Sequence, residues 1–364
     1  MHRRPLVLLV VNAALLPLLS CRTPRYEEVL PSLRPGRTKR QCHVHHCKDG
    51  PSEAMKPGRR KCHKRRGHME PMGQQQADMT EVPRVSVSSP ADFYERFVAR
   101  SRPVMLADAA RVATRGVEWT DDFMLDMCTL GETSDPRWKT GQPWRATIEK
   151  HKVIVSNTRF PLVDGWTFCD FIQNYTKPEH SDGLYCISPL TDPGVRLGKH
   201  VEIPEVLRCA EIHESIHDTR LWMSSGGTSS SLHFDTHENL MLQVEGSKTV
   251  VFWPPSQSHL TYMDYHNRFG LSPVNPDYVD LDRFPMFAAL RGGMVAHLHK
   301  GDGLLIPDGW WHQVRTWPGK NVAVTWEFEP YEGIEALWPG DSFERYLTDA
   351  KWSSQVKDMA SLPS

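Results

Sequence analysis

The sequence predicts a mainly β domain, an antiparallel barrel or double sheet with helices packed outside it. Three observations carry this. Short apolar or alternating runs crowd the second half, at residues 184–187, 220–224, 240–244, 248–253, 295–299, 303–306 and 321–328. Two of them, Leu240 to Val244 and Lys248 to Trp253, flank Glu245-Gly246-Ser247, a tight hairpin turn. The first half instead carries helical spacing. No internal repeat is visible.

The elements follow in order. In Ala91 to Arg100, Phe93, Phe97 and Val98 share one helical face. Ser101 to Leu106 follows as a short strand. Trp119 to Leu130 forms a second helix. Trp166-Thr167 opens a third, with Phe168, Phe171 and Ile172 apolar. From Leu184 onward strands dominate.

The chain has 364 residues, 39% hydrophobic and 24% charged. That supplies a sizeable core and excludes wholesale disorder. No run of twenty apolar residues lies in the body, which excludes a multi-spanning membrane protein. The formal charge of −1 hides an asymmetry. Residues 1–68 hold 16 Lys/Arg against 4 Asp/Glu, and the remainder holds 27 against 40. An acidic body is a poor match for a nucleic-acid backbone, so no nucleic-acid partner is expected.

Four segments follow. Residues 1–21 begin with a basic Arg3-Arg4 and run apolar from Leu6 to Leu19, apart from Asn12. That is a cleaved signal peptide or a retained signal-anchor. The first gives a lumenal or secreted protein. The second gives a type II membrane protein with a lumenal body. The triplet Asn174-Tyr175-Thr176 is a glycosylation acceptor in that setting. Residues 22–82 form a basic tail, expected to lack regular structure. Its Cys42, His43, His45, His46, Cys47, Cys62, His63 and His68 are zinc-type donors without the spacing of a finger. Its charge suits a polyanion partner. Arg37-Thr38-Lys39-Arg40 reads as a processing site. The body spans 83–350, and a C-terminal tail spans 351–364. Of eight cysteines, Cys128, Cys169, Cys186 and Cys209 fall in the body, enough for two bridges of open connectivity.

The chemistry concentrates at two places. In the extended run Leu232-His233-Phe234-Asp235, side chains two apart point to one face, so His233 and Asp235 enter one cavity together. In Gly303 to Val314, an apolar strand runs into Pro307-Asp308-Gly309, and His312 emerges beyond Trp310 and Trp311. Two histidines and one carboxylate form the facial triad of non-haem iron(II) oxygenases. Three protein ligands leave three positions, which a bidentate 2-oxo acid and dioxygen can fill.

With these residues the chain resembles the JmjC, or cupin-8, branch of Fe(II)/2-oxoglutarate-dependent oxygenases. The likeness runs from about Pro83 to Tyr331 and is strongest over 222–257 and 301–328. It is nearer the small hydroxylases, such as the asparaginyl hydroxylase acting on hypoxia-inducible factor, than the multidomain histone demethylases. The resemblance implies a double-stranded β-helix, a jelly-roll of the cupin or JmjC type, with a coat of α-helices from the N-terminal half. It implies His233, Asp235 and His312 as metal ligands. It implies Lys248, fifteen positions after His233, as the partner of the distal carboxylate of 2-oxoglutarate. Ser230 offers a hydroxyl to that carboxylate, Asn239 stands near metal and co-substrate, and Tyr185 reaches 2-oxoglutarate. Fe(II), 2-oxoglutarate and O2 are the implied cofactors, with ascorbate as a reductant.

The implied activity is hydroxylation of a protein or peptide side chain in the secretory pathway. N-methyl-lysine demethylation and a catalytically silent binding scaffold remain the alternatives. Family members dimerise through C-terminal helices, and Asp341 to Lys357 offers one such helix, so a homodimer stays open. One departure stands out. Glu327 occupies the register, fifteen residues after His312, where close relatives carry an asparagine near the metal. His237, His297 and His299 are expected outside the metal's coordination.

Overall fold

The computed structural model describes residues 43–47, 62–68, 79–150, 162–180, 183–208, 210–263, 270–277 and 279–329. Its strands and helices, in chain order, begin with β1 (His43–Cys47), β2 (Cys62–His68), β3 (Thr80–Glu81), β4 (Arg84–Val85), α1 (Pro90–Arg96) and β5 (Val104–Leu106). Then come α2 (Ala109–Ala113), α3 (Asp121–Met127), β6 (Thr147–Glu149), α4 (Phe168–Asn174), β7 (Tyr185–Pro189), α5 (Ala210–Ser215) and β8 (Ile216–Ser224). The last are β9 (Glu238–Glu245), β10 (Ser247–Trp253), β11 (Val279–Asp280), β12 (Met294–His299), β13 (Gly303–Ile306), β14 (Trp311–Thr316) and β15 (Asn321–Phe328).

The fold is mainly β, as the sequence predicts. One sheet has the order β4-β5-β13-β9-β15-β8-β7-β6 and a second the order β14-β10-β12-β3. Strand parity assigns every layer. In β9 and β15 the even positions, Leu240, Leu242, Val322, Val324, Trp326 and Phe328, join one cluster with Phe93, Trp119, Phe168 and Phe171 of the helical coat. The odd positions Met241 and Ala323 face the other way. There they meet Val250 and Phe252 of β10 and Ala296 and Leu298 of β12 in a second cluster between the sheets. The outer face of the small sheet, Val251, Trp253, Val295 and Trp311, packs under Tyr262, Met263, Phe284 and Phe287.

The helical caps match their sequence signals. Ser89, Thr120 and Thr167 each accept a backbone N–H with the side chain, and Thr167 with Asp170 forms a capping box. The first helix is shorter than predicted. It stops at Arg96, and Val98–Arg100 continues as a 3-10 turn because Phe97 leaves helical dihedrals. The predicted hairpin turn holds Gly246 at φ 76°, and a Cβ there would lie 2.2 Å from the Lys320 carbonyl oxygen, so only glycine fits. In the coat Cys128, which caps α3, is bridged to Cys169 of α4, while Cys186 is a buried free thiol.

Three expectations need correction. The run from Leu232 to Asp235 is not a strand of a sheet. It touches the ladder only at His233, which bridges to His312 and Leu271. His312 instead lies within a strand, β14, that the Pro-Asp-Gly turn and paired tryptophans concealed. Inside the basic tail, β1 and β2 pair antiparallel, and β2 also pairs with β11. A backbone ladder satisfies its own hydrogen bonds and needs no apolar side chains, which is the signal composition reads. The N-terminal apolar run and the predicted helix 341–357 lie outside the described residues.

Candidate active site

The two sheets open at one end onto a cavity of about 280 Å3. His233, Asp235, His312, Ser230, Asn239 and Tyr185 all line it, as does Glu327. Parity explains the gathering. On β14, His312, Val314 and Thr316 face inward while Trp311 faces out, and on β9 the inward set is Asn239 and Met241. Asp235 and His237 precede β9 and face the same cavity.

The triad is held by backbone. His233 N–H donates to the His312 carbonyl at 3.0 Å, and His312 N–H donates to the His233 carbonyl at 2.7 Å. The two ring centroids are 4.3 Å apart. His233 Nδ1 lies 2.8 Å from the Ser231 carbonyl and His312 Nδ1 lies 2.9 Å from the Trp310 carbonyl. A carbonyl only accepts, so each Nδ1 carries the proton and each Nε2 presents a lone pair to the cavity. The Nε2 atoms stand 3.9 Å and 3.6 Å from the two oxygens of Asp235. One donor atom from each residue lies within 4.8 Å of the others. Burial pushes the His312 pKa down to about 4, which keeps the ring neutral and able to ligate. Two neutral imidazoles and one carboxylate on adjacent positions are the donor set of a facial iron(II) site, so the residues fit that metal.

Lys248 stands behind this cavity rather than on its lining. It occupies β10 in line with Val250 and Phe252, so strand parity turns it into the interior, where it is 1% exposed. Its Nζ lies 6.0 Å from the Tyr185 ring centroid. Burial alone pushes its pKa down to about 7, and among the described residues no carboxylate is paired with it. An ammonium so placed is costly until an anion joins it. Ser230 N–H donates to the Val314 carbonyl at 2.9 Å, and its hydroxyl accepts from the Val314 N–H at 2.9 Å. Asn239 Oδ1 is buried and has no hydrogen-bond partner among the described residues, an acceptor available to a bound group.

Glu327 is 3% exposed and lines the cavity. Its Oε1 lies 3.7 Å from Arg220 Nε and its Oε2 3.5 Å from His237 Nε2. Burial raises its pKa, against the pull of His237 and Arg220. His297 and His299 are exposed, and His297 Nδ1 meets Thr249 Oγ1 at 3.0 Å. Sequence reasoning missed Arg220, Trp222 and Thr325, which also line the cavity. Their signal was available, since β8 and β15 alternate polar and apolar residues. It was obscured by the apolar weight of both strands.

A family model described as a cupin-like domain matches residues 90–332. The tRNA wybutosine-synthesizing protein 5 of Mus musculus is 28% identical over 69% of this chain and 79% of its own length. The lysine-specific demethylase 8 of Danio rerio is 26% identical over 65% of this chain and 55% of its own. The lysine-specific demethylase JMJ31 of Arabidopsis thaliana is 37% identical over 28% of this chain and 19% of its own. The matched region thus spans less than two thirds of the length of both these demethylases.

Proposed function

The chain belongs to the cupin-like, JmjC-type (cupin-8) family, and from that premise we propose that it is an Fe(II)/2-oxoglutarate-dependent oxygenase that hydroxylates a protein or peptide side chain in the secretory pathway. The observation that carries this reading is the pairing of a preformed two-histidine, one-aspartate donor set with a buried, uncompensated Lys248. Iron(II) bound there would supply the centre at which dioxygen and 2-oxoglutarate react. Each turnover would consume one of each, release succinate and carbon dioxide, and convert a substrate C–H to C–OH. The chain's own residues do the rest. The carbonyls of Ser231 and Trp310 fix the imidazole tautomers and so aim both Nε2 atoms. Lys248 would pair with the far carboxylate of the co-substrate, with Ser230 and Tyr185 beside it. The apolar walls of Met241, Ile306 and Val314 exclude water around the reacting group.

The secretory setting rests on the basic-apolar N-terminal run, the Asn174 triplet and the Cys128–Cys169 bridge, since such bridges persist in oxidising compartments. The acidic body favours a basic substrate and disfavours a nucleic acid. The names of two relatives favour a second reading, N-methyl-lysine demethylation, which uses the same oxidation on an N-methyl carbon.

The full chain incubated with iron(II), ascorbate, 2-oxoglutarate and a pool of secretory peptides tests the proposal. Iron-dependent succinate that disappears in His233→Ala and Lys248→Ala is expected, with a gain of one oxygen in a peptide. Formaldehyde in place of that gain would assign the demethylase. Failure to bind either iron or 2-oxoglutarate would sink the oxygenase and leave a binding scaffold.

A further inference from the structure

Beside the triad lies a second group of donors that shares no residue with it. His217, His237 and Glu327 each bring one ligating atom to within 4.8 Å of the others. They grade from solvent to interior: His217 is exposed, His237 half-buried and Glu327 buried.

A break in the sheet makes this possible. Along β8 and β15 the register pairs Glu327 with Asp218 and Phe328 with Ile216, so His217 has no opposite residue. It is the extra residue of a β-bulge. In β8, Arg220 and Trp222 line the cavity, and simple alternation would place Ile216 there and His217 outside. The bulge reverses this. Ile216 packs with the helical coat, and the His217 ring meets the cavity-lining His237 edge-on at 5.5 Å. Bulges of this kind re-aim side chains and recur beside functional sites.

The carboxylate divides its oxygens. Glu327 Oε1 faces Arg220, which Asp218 also holds through a 2.7 Å hydrogen bond, while Oε2 faces His237. Oε2 is therefore the oxygen left for a metal, and the neighbouring guanidinium does not block it. Two imidazoles and one carboxylate are a zinc donor set, with bonds of about 2.0–2.2 Å and a fourth position open. His237 Nε2 and Glu327 Oε2 already stand 3.5 Å apart, a spacing that two such bonds to one ion span, and the exposed His217 would complete the set.

We propose that His217, His237 and Glu327 form a second divalent-cation site, of zinc type, at the solvent-exposed end of the catalytic cavity. Two of its three donors, His237 and Glu327, line the same cavity as the triad.

The test uses the full chain, stripped by chelator and titrated with cobalt(II) and with zinc(II), counting bound ions and recording cobalt absorption. The wild type is expected to bind one ion more per chain than His217→Ala, and one more than His233→Ala. The double variant should lose two. The cobalt bands lost in His217→Ala should lack thiolate charge transfer, which separates this site from the cysteines of the tail. Glu327→Gln should match His217→Ala where it folds. Exposed His217 can be replaced without disturbing the core, so an unchanged ion count in a His217→Ala protein of unaltered melting temperature would overturn the site.

Discussion

His233 and His312 exchange both of their backbone hydrogen bonds, at 3.0 and 2.7 Å, although the segment holding His233 belongs to no sheet. This pair sets the distance between two metal ligands through main chain alone. Side-chain replacement therefore leaves the pairing intact. His233→Ala is expected to melt close to the wild type without metal. Its iron affinity should fall by more than the roughly 10–100-fold that outer-shell changes cost. Equilibrium dialysis with iron(II) beside a thermal melt checks both halves.

Lys248 links co-substrate binding to pH. Burial lowers its pKa from 10.5 to about 7. Only the charged form pairs with a carboxylate. Above pH 7 binding must first return a proton, so 2-oxoglutarate affinity should drop as pH rises, approaching tenfold per unit. Stability moves the opposite way. A base with a depressed folded pKa is penalised at low pH and relieved as pH climbs from about 7 towards 10.5. The unliganded protein should thus gain stability over that window, and Lys248→Met should lose the gain along with the 2-oxoglutarate affinity. Calorimetric titrations and melts at pH 6.5 and 8.5 show both trends.

The residues show what was legible. Lys248 could be read because an ammonium on the apolar face of β10 has no reason to be there without an anion. The His233–Asp235 pair could be read from spacing, although the local structure is a single bridge rather than a strand. Long strands such as β9, β10 and β15 were visible through their apolar weight, while pieces of two or three residues such as β4 and β6 carry too little pattern. His217 was invisible for a sharper reason. A bulge reverses strand parity, and no local composition marks where one extra residue will be inserted. His237 is expected outside the metal's coordination, and the turn before β9 places it on the cavity lining beside the triad. Glu327 lines the cavity because it follows Thr325 by two along β15, on the same face of the strand.

Asp308 and Glu238 make a second pH signature. Burial and the charge of Asp235 push Asp308 up to about 7, and burial with Asp308 raises Glu238 well above the usual carboxylate range. An acid with a raised folded pKa contributes most below its unfolded value, and that contribution is lost as pH rises through the folded one. The metal-free protein is therefore expected to lose stability from about pH 4 to pH 7. Asp308→Asn should flatten the decline. Denaturant midpoints measured across that range, with and without the substitution, decide it.

The Cys128–Cys169 bridge joins α3 to α4 within the helical coat, away from the cavity lining. Its sequence separation of 41 gives a chain-entropy contribution of about 4 kcal/mol at most, and engineered comparisons commonly return less. The coat packs on the outer, even-numbered face of β9 and β15, whereas the triad belongs to the opposite face. Loss of the bridge should then act on folding and not on the site. A Cys128→Ser, Cys169→Ser double variant is expected to unfold about 2–4 kcal/mol more easily, with iron affinity at 20 °C unchanged. A fall in iron affinity at a temperature where the variant remains folded would show that the coat, and not the paired backbones of His233 and His312, sets the ligand geometry.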